Sequence, residues 1–423
     1  MKNERIAWSA AEILLPDFQK TDGTRWAVVA CDQFTSEAHY WESVKASVGD
    51  APSTLSMILP EVYLSETEKR VPVINQCMKE ILEKHLISHP DAMIYLERTQ
   101  SDGTVRRGVI GAVDLECYDY RAGSTSLIRA TEGTVLERIP PRVAIRRDAP
   151  LELPHIMLLI DDPHRTVIEP LIPTHASVNP LYDFDLMEGG GHVKGFLLTE
   201  EEQSDLCAGL EALISPDAIK ERYGDASLAP LLFAVGDGNH SLATAKAAYE
   251  EVKAAIGEEA AKSHPARYAL AEVVNLHDAS LNFEPIYRVV FGCDPNSLLA
   301  DLKDYLASLD GNAKPQEIHF VTETGEGDLS VHAPVQQLAV GTLQTFLGDY
   351  AKVHPEVEVD YIHGEDSLCE LARKKNAIGF LFDGMRKDEL FRTVIYDGAL
   401  PRKTFSMGHA RDKRYYLECR KIK

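Results

Sequence analysis

The sequence predicts an α+β protein with mixed sheets, and three stretches carry this prediction. Residues 92–114 contain two strand-like runs joined by Ser101-Asp102-Gly103, which is typical of a β-hairpin. Thr67 to His85 places apolar residues at helical spacing, which predicts an amphipathic helix. Leu231 to Tyr249 begins as a short apolar run, passes through a glycine turn and continues as an alanine-rich, helix-favouring segment. The chain therefore combines a predicted β-hairpin with predicted helices, which is typical of an α+β protein.

The chain has 423 residues, which is too many for one core of usual size. We predict an N-terminal α+β domain over 1–125 and a central domain over 126–292. A smaller C-terminal α+β part over 293–423 follows, with a helix from Asn296 to Leu309 and a strand from Glu317 to Thr322. We expect this last part to return the region of Lys403 to the core.

Further elements are predicted from short apolar runs and turn residues. Strand patterns continue through the arginine-rich residues 127–146, and two strands are expected around Gly189-Gly190-Gly191. A helix is expected to begin near Ser36, with Thr35 or Ser36 as its cap. Buried strands are predicted over Trp26–Cys31, Leu153–Asp162 and Ala377–Phe382.

Composition limits the classes of partner. The net charge of −22 argues against a duplex-binding protein, which would normally present a basic face, so we expect no nucleic-acid partner. The seven cysteines are scattered and form no C-x-x-C pair, which favours reduced core thiols. No apolar stretch has membrane-spanning length and Met1 to Arg5 leads into no signal-type core, so a cytoplasmic protein without a membrane partner is expected.

The segment Gly236-Asp237-Gly238-Asn239-His240-Ser241 is the strongest candidate site. A strand, a glycine turn and a helix start point backbone N–H groups at an anion. An acid, an imidazole and a hydroxyl group lie within the same turn. The alternative is an Asp-Gly turn followed by an Asn or Ser helix cap, which needs no chemistry.

A second candidate is a group of arginines in a chain that is otherwise acidic. Arginine suits phosphate or carboxylate groups because its planar fork donates two parallel hydrogen bonds. The alternative is a surface ladder of Arg–Glu pairs, which contributes little energy. The group contains Arg129, Arg138, Arg142 and Arg146, with Glu132 among them.

Several well-known chemistries lack their motifs. The sequence has no zinc pattern, no Gly-x-Ser-x-Gly elbow, no phosphate loop of the Walker type and no dinucleotide fingerprint. Isolated histidines such as His155 are interpreted as structural. What remains is a phosphate-type pocket. In it Asp237 would hold Mg²⁺, His240 would contact a phosphate, Glu132 would act as base and Lys403 would add a cation.

The segment Asp237 to Ser241, with the alanine-rich helix after it, resembles the Asp-Gly-His-His-Arg motif of the domain of unknown function 1015 family. The resemblance covers nearly the whole chain. Asn239 stands where the first histidine of the motif would be, Ser241 where the arginine would be, and Tyr287 where a histidine often precedes Arg288. Other matching segments are Val29–Asp32, Ile58–Glu61, Arg107–Ala112, Glu132 with Arg142, Pro285–Arg288 and Leu400–Thr404.

The family is similar over its central part to the ParB/sulfiredoxin-like fold, one branch of which phosphorylates free L-serine. The resemblance implies a ParB/sulfiredoxin-like central core, with Gly236, Gly238, Asn239 and Ser241 cradling nucleotide phosphates and Glu132 as the base. Arg142 or Arg146 would substitute for the missing arginine.

These observations predict a nucleotide-dependent phosphotransferase that uses Mg²⁺ and ATP or ADP on a small anionic substrate of the serine or phosphoserine type. Two alternatives stay open: a non-catalytic nucleotide- or ligand-binding regulator, and a phosphatase-like hydrolase. A homodimer is also left open.

Overall fold

The computed structural model describes residues 5–134 and 136–423. They divide into two compact units: the first comprises 5–130, 134, 136–281 and 408–423, and the second comprises 131–133 and 282–407. The described residues form twelve α-helices: α1 Ala38–Val48, α2 Thr67–Lys84, α3 Ile139–Arg147, α4 Leu171–His175, α5 Glu200–Leu213, α6 Pro216–Tyr223, α7 Asn239–Ile256, α8 Glu258–Ala261, α9 Pro295–Ser308, α10 Ala339–Val353, α11 Glu365–Ala372 and α12 Lys387–Tyr396.

The same residues form twenty strands: β1 Trp8–Ser9, β2 Ala11–Pro16, β3 Leu86–Ala92, β4 Ile94–Thr99, β5 Val105–Asp114, β6 Tyr118–Asp119, β7 Ile128–Ala130, β8 Leu151–Glu152, β9 Met157–Ile160, β10 Tyr182–Asp185, β11 His192–Leu197, β12 Phe233–Asp237, β13 Tyr268–Asn275, β14 Phe283–Phe291, β15 Gln316–Thr322, β16 Glu326–Val331, β17 Glu358–His363, β18 Ala377–Leu381, β19 Phe405–Met407 and β20 Arg420–Lys421.

The first unit is built on a ten-stranded mixed sheet in the order β10-β11-β4-β5-β13-β9-β12-β7-β6, with β1 paired to β5. β5 pairs antiparallel with both β4 and β13, whereas β13 pairs with β9, and β12 with β7, in parallel. Successive side chains of a strand point to opposite faces of its sheet. Tyr95 accordingly joins one apolar cluster, and Ile94 and Leu96 join another. Both faces of the sheet are covered.

The second unit contains a six-stranded sheet in the order β16-β15-β18-β14-β17, with β19 paired to β14. Its neighbouring strands are antiparallel. Val289 of β14 and Val321 of β15 pack with Leu368 of α11 in a buried cluster. Five of its six strands come from residues 293–423, where a smaller α+β part was predicted, whereas β14 precedes that range.

The structure confirms the α+β class with mixed sheets. The hairpin within 92–114 is β4 and β5, the predicted amphipathic helix is α2, and the strands around Gly189-Gly190-Gly191 are β10 and β11. The strand predicted within Leu153–Asp162 is β9, and that predicted within Ala377–Phe382 is β18.

Three local predictions are wrong. Trp26 to Cys31 is mostly buried but not a strand, because its only sheet contact in the described chain is an isolated bridge from Val29 to Arg414. The first helix begins at Ala38, so neither Thr35 nor Ser36 is its cap. Glu37 occupies the cap position, and its side chain makes no capping hydrogen bond to the described residues. The strand pattern of 127–146 ends with β7, and residues 139–147 form helix α3 instead. Pro140 and Pro141 lie in its first turn, where a missing N–H costs little.

The predicted domain boundary at residue 125 is also wrong. Tyr268↔Asp114 through Val274↔Gly108 join β13 to β5, so strands from 1–125 and 126–292 form one sheet. Residues 408–423 belong to the first unit as well, although Lys403 belongs to the second. Periodicity along a chain predicts that a strand exists but does not specify its partner strand.

Candidate functional site

The junction between β12 and α7 forms the centre of the candidate site. β12 ends at Asp237, and Gly238 turns the chain with φ 78° and ψ 24°. The N–H of Gly238 donates to Asp237 Oδ1 at 2.9 Å. A Cβ at Gly238 would lie 3.0 Å from Ile156 Cα, so glycine is favoured here by both backbone angle and space.

Among the residues that the structure describes, no side chain caps the start of α7. The predicted cap at Asn239 or Ser241 is therefore wrong, because Gly238 occupies the cap position and both polar residues lie inside the first turn. Gly236 has a different role from Gly238: its Cβ would lie 2.8 Å from Leu159 Cγ, and it does not adopt a positive φ. An uncapped start of an 18-residue helix presents the positive end of the helix dipole.

A lysine from the C-terminal segment lies at this helix start. Lys413 Nζ is 3.7 Å from Asp237 Oδ2, and both side chains are about three-quarters buried. The amide oxygen of Asn239 is buried and has no hydrogen-bond partner among the described residues. The start of α7 thus combines a helix dipole, an ammonium group and a carboxylate. This is a suitable environment for a phosphate group and its counter-ion.

Asp32 belongs to the same group of side chains. Burial alone would raise the pKa of Asp32, but His155, the amide of Gln33 and the ammonium of Lys413 together lower it. Gln33 Nε2 donates to Asp32 Oδ1 at 3.0 Å. Asp32 is therefore a half-buried carboxylate that stays ionised at neutral pH.

His155 and Ser241 complete the group. Ser241 Oγ lies 3.0 Å from His155 Nε2, and the imidazole is 8% exposed. His155 Nδ1 has no partner in the described part of the chain. The ring packs edge-on against Tyr415 with centroids 5.0 Å apart. Burial raises the pKa of the neighbouring Cys31 thiol to about 11, so Cys31 remains protonated and does not act as a nucleophile.

The arginines of the predicted patch have separate protein partners. Arg129 donates Nε to the carbonyl of Ser126 and Nη2 to those of Ala229 and Pro230, at 2.8 to 3.2 Å. It is thus a structural residue. Of Arg138, the structure describes no side chain.

Arg142 and Arg146 project from α3, and each pairs with a glutamate: Arg142 with Glu61, and Arg146 with Glu152. The interpretation as Arg–Glu pairs is therefore the correct one for these two. They nevertheless share a cavity of about 140 Å³ with Ser241, so they lie beside the helix start. Their role as phosphate ligands stays a prediction.

Glu132 and Lys403 belong to the second unit, where each has its own surroundings. Glu132 forms an isolated bridge with Leu400, and Lys403 Nζ lies 4.7 Å from the centroid of the Tyr361 ring. Burial lowers the pKa of Arg288 to about 10, and Tyr361 and Glu132 partly offset this effect. Glu132 as a base and Lys403 as a phosphate ligand stay predictions.

Sequence reasoning missed three residues of this group. The sequence does not single out Lys413, His155 is interpreted there as structural, and Asp32 appears there only at the end of the matching segment Val29–Asp32. The signal for Asp32 was its position after a buried run, where polar side chains gather at the edge of a core. His155 also lies at the end of an apolar run, because it comes just before β9. No residue pattern near Lys413 in the sequence predicts that it lies at this site.

Residues 16–360 match the model of a family described as protein of unknown function, DUF1015. The chain belongs to this family. The match includes Asp32, His155 and the whole junction between β12 and α7, whereas Lys413 lies outside it. No curated protein matches this DUF1015 chain.

Three solved structures are similar to the DUF1015 chain. A conserved hypothetical protein from Pyrococcus furiosus is 10% identical with a TM-score of 0.33, covering 70% of this chain and 89% of that one. A mutant free serine kinase in complex with ADP is 11% identical with a TM-score of 0.35, covering 70% and 86%. SbnI from Staphylococcus aureus is 9% identical with a TM-score of 0.32, covering 71% and 82%. At these values the likeness says nothing about activity.

None of the described helices is long and apolar enough to cross a membrane. Within residues 5–134 and 136–423, no three or more His, Cys, Asp or Glu side chains gather as a metal-binding group.

Proposed function

We propose that the protein is a nucleotide-dependent phosphotransferase that acts on a small hydroxylated metabolite of the serine or phosphoserine type. The observation that carries this proposal is the uncapped start of α7, with Lys413 Nζ 3.7 Å from Asp237. Phosphoryl transfer depends mainly on positioning and charge neutralisation, and a helix start with an adjacent ammonium group supplies both. ATP or ADP is the donor that the family resemblance implies.

In the proposed reaction the acceptor oxygen forms a bond to the terminal phosphorus of the donor, and the bond from that phosphorus to the bridging oxygen breaks. The hydroxyl proton moves to a carboxylate. Asp32 suits this role because it is half-buried and because the charge of Lys413 helps to keep it ionised. Glu132 is the other carboxylate proposed as base, from the family resemblance.

Mg²⁺ fits this site through one protein ligand. Asp237 offers a carboxylate, and the described residues gather no larger group of ligands, so the ion would take its remaining ligands from phosphate oxygens and water. When bound, Mg²⁺ supplies charge neutralisation on the phosphates. Ser241 and His155 would orient the acceptor hydroxyl or a phosphate oxygen at the helix start.

A hydrolase is the second candidate, because Ser241 Oγ lies 3.0 Å from His155 Nε2 as in a nucleophile and base pair. In a catalytic triad a carboxylate orients the second imidazole nitrogen. His155 Nδ1 has no partner in the described chain, so the pair lacks this orienting bond. The phosphotransferase is therefore the better supported of the two.

The test is a transfer assay on the full chain with ATP or ADP, Mg²⁺ and hydroxylated amino acids. We expect phosphate transfer that requires the nucleotide and is abolished in Asp237→Asn, while circular dichroism shows an intact fold. Nucleotide binding without transfer would instead support the regulator. Phosphoserine turnover without nucleotide, abolished in Ser241→Ala, would support the hydrolase.

A further inference from the structure

Three arginines are buried together in the first unit, and we call Arg98, Arg106 and Arg414 the arginine cluster. Their exposed fractions are 3%, 7% and 2%. Arg98 of β4 lies opposite Arg106 of β5 in the sheet register, and the charges of Arg106 and Arg414 both act on Arg98. Buried arginines are almost always paired, so each member needs its own acceptors.

Arg106 has its acceptor. Its Nη2 lies 2.7 Å from Glu272 Oε2, and its Nε lies 3.2 Å from Oε1. Gly108 makes this possible, because a Cβ there would lie 2.4 Å from Glu272 Oε1. Glu272 is fully buried and is occupied by this bidentate pair.

Arg414 is satisfied in part. Nη2 donates to the carbonyl of Ala27 at 2.9 Å, and Nη1 to that of Arg411 at 3.5 Å. Its Nε is buried without an acceptor in the described chain. Asp412 lies near the cluster, but it accepts from the N–H and the hydroxyl of Ser101 at 2.8 Å each.

Arg98 is the exception in the cluster. Within residues 5–134 and 136–423, neither its Nε nor its Nη2 has a hydrogen-bond acceptor, and both atoms are buried. Burial first, and then the charges of Arg106 and Arg414, lower the pKa of Arg98 to about 9. The guanidinium is therefore still charged at neutral pH. Glu272 and Asp412 act on Arg98 with the opposite charge, but neither accepts a hydrogen bond from its Nε or Nη2, and buried N–H groups without an acceptor are costly.

The cluster borders the helix start. Arg414 follows Lys413, which lies beside Asp237. Burial alone would lower the pKa of Arg106, but Glu272 raises it, with a smaller contribution from Asp237. The backbone of Gly190 passes directly against Arg414, because a Cβ at Gly190 would lie 2.6 Å from Arg414 Nη1. Gly190, between β10 and β11, therefore packs on this cluster.

We propose that Arg98 and Arg414 form a second anion subsite, which takes a carboxylate or phosphate group of the ligand whose transferred phosphate lies at the start of α7. This inference rests on the proposed function and narrows its substrate class. The acceptor is then an acidic hydroxylated metabolite that carries its own anionic group, rather than a neutral alcohol. Arg98 is a specificity-determining residue in this scheme.

The test compares two buried arginines of the same sheet. Arg98→Met removes a guanidinium that has unsatisfied N–H groups, whereas Arg129→Met removes one whose donors meet three carbonyls. Binding of inorganic phosphate and of phosphoserine to the full chain is measured by calorimetry, and melting temperature is measured without ligand.

We expect Arg98→Met to weaken phosphoserine binding at least tenfold without lowering the melting temperature. We expect Arg129→Met to lower the melting temperature and to leave the affinity unchanged in the folded protein. Unchanged affinity in Arg98→Met overturns the subsite. If Arg98→Met does not fold, Arg98→Lys replaces it. This variant keeps the positive charge but loses the planar guanidinium, and it should also weaken phosphoserine binding at least tenfold.

The outcomes also separate this inference from the proposed function. Anion binding that depends on Arg98, in a protein that transfers no phosphate from ATP or ADP, keeps the subsite and refutes the phosphotransferase. Transfer to serine with an unchanged KM in Arg98→Met keeps the phosphotransferase and refutes the subsite.

Discussion

Lys413 lies 3.7 Å from Asp237, and this contact joins the C-terminal segment to the turn before α7. The pair is only partly exposed, so its mutual attraction is screened less than that of a surface pair. Each residue has a further neighbour: the charge of Lys413 also acts on Asp32, and that of Asp237 on Arg106. The contact is thus part of a charged network inside the first unit.

Removing the ammonium group should weaken nucleotide binding. We expect Lys413→Met to lower the affinity for ADP about tenfold, because a phosphate at the helix start would lose a neighbouring cation worth roughly 1–2 kcal/mol. Calorimetric titration measures this. Lys421→Met is the control, since Lys421 pairs with Glu12 at 3.3 Å and its side chain is more exposed, at 43% against 29% for Lys413. Equal affinity in the wild type and Lys413→Met would remove Lys413 from the site.

The base can be identified by comparing two carboxylates. We expect Asp32→Asn to lower kcat roughly 100-fold or more, which is typical for loss of a general base. In a pH profile, the loss of kcat in Asp32→Asn should become smaller at high pH, because hydroxide from the solvent can then remove the proton of the acceptor hydroxyl. A large loss in Glu132→Gln with normal turnover in Asp32→Asn would assign the base to Glu132 instead.

Gly238 should tolerate no side chain. Gly238→Ala combines a positive φ of 78° with a Cβ 3.0 Å from Ile156 Cα, so we expect a loss of about 2–3 kcal/mol in the free energy of unfolding. Gly224→Ala is the matched control, because φ is 92° and nothing lies within 4 Å of its Cβ. It should cost about 1 kcal/mol. Urea denaturation measures both, and equal losses would exclude the clash with Ile156.

Glu418 should make stability depend on pH. Burial raises its pKa to about 7 from an ordinary 4.5, although the Tyr182 hydroxyl donates to it at 2.6 Å. Because the folded pKa lies above the unfolded value, the stabilisation is present below pH 4.5 and is lost as pH rises towards 7.

The loss of stability from Glu418 between these pH values should be on the order of 3 kcal/mol. Glu418→Gln should remove it, whereas Glu211→Gln at the surface should keep it. Chemical denaturation at pH 5 and pH 8 measures the difference. A Glu418→Gln protein with the same pH dependence as the wild type would contradict the assignment.

The Arg106–Glu272 pair should show strong coupling. Arg106→Met leaves a fully buried carboxylate without its partner, so we expect a loss of about 3–5 kcal/mol in the free energy of unfolding. Replacing both with Met should cost less than Arg106→Met alone, because no charge is then left unpaired. A double-mutant cycle by urea denaturation checks this, and additive losses would show that the pair is not coupled.

Much of the fold could be predicted from local pattern. The hairpin of β4 and β5, the helix α2 and the strand, turn and helix around Gly238 follow from apolar spacing and turn residues. The strand predicted over Trp26–Cys31 failed because burial alone does not distinguish a strand from an irregular buried segment. The domain boundary failed because β5 pairs with β13 far along the chain.

By itself, the sequence determined the α+β class, the position of the helix that begins after Gly238, and a net charge that argues against a duplex-binding role. These properties depend on residues close together in the chain or on composition. Only the tertiary structure decided that Arg142 and Arg146 are paired with glutamates and that Arg98 Nε and Nη2 are buried without an acceptor among the described residues. It also decided that Lys413 lies beside Asp237. Such contacts depend on which distant strands pair and which segments return to the sheet, and no local spacing of residues encodes that.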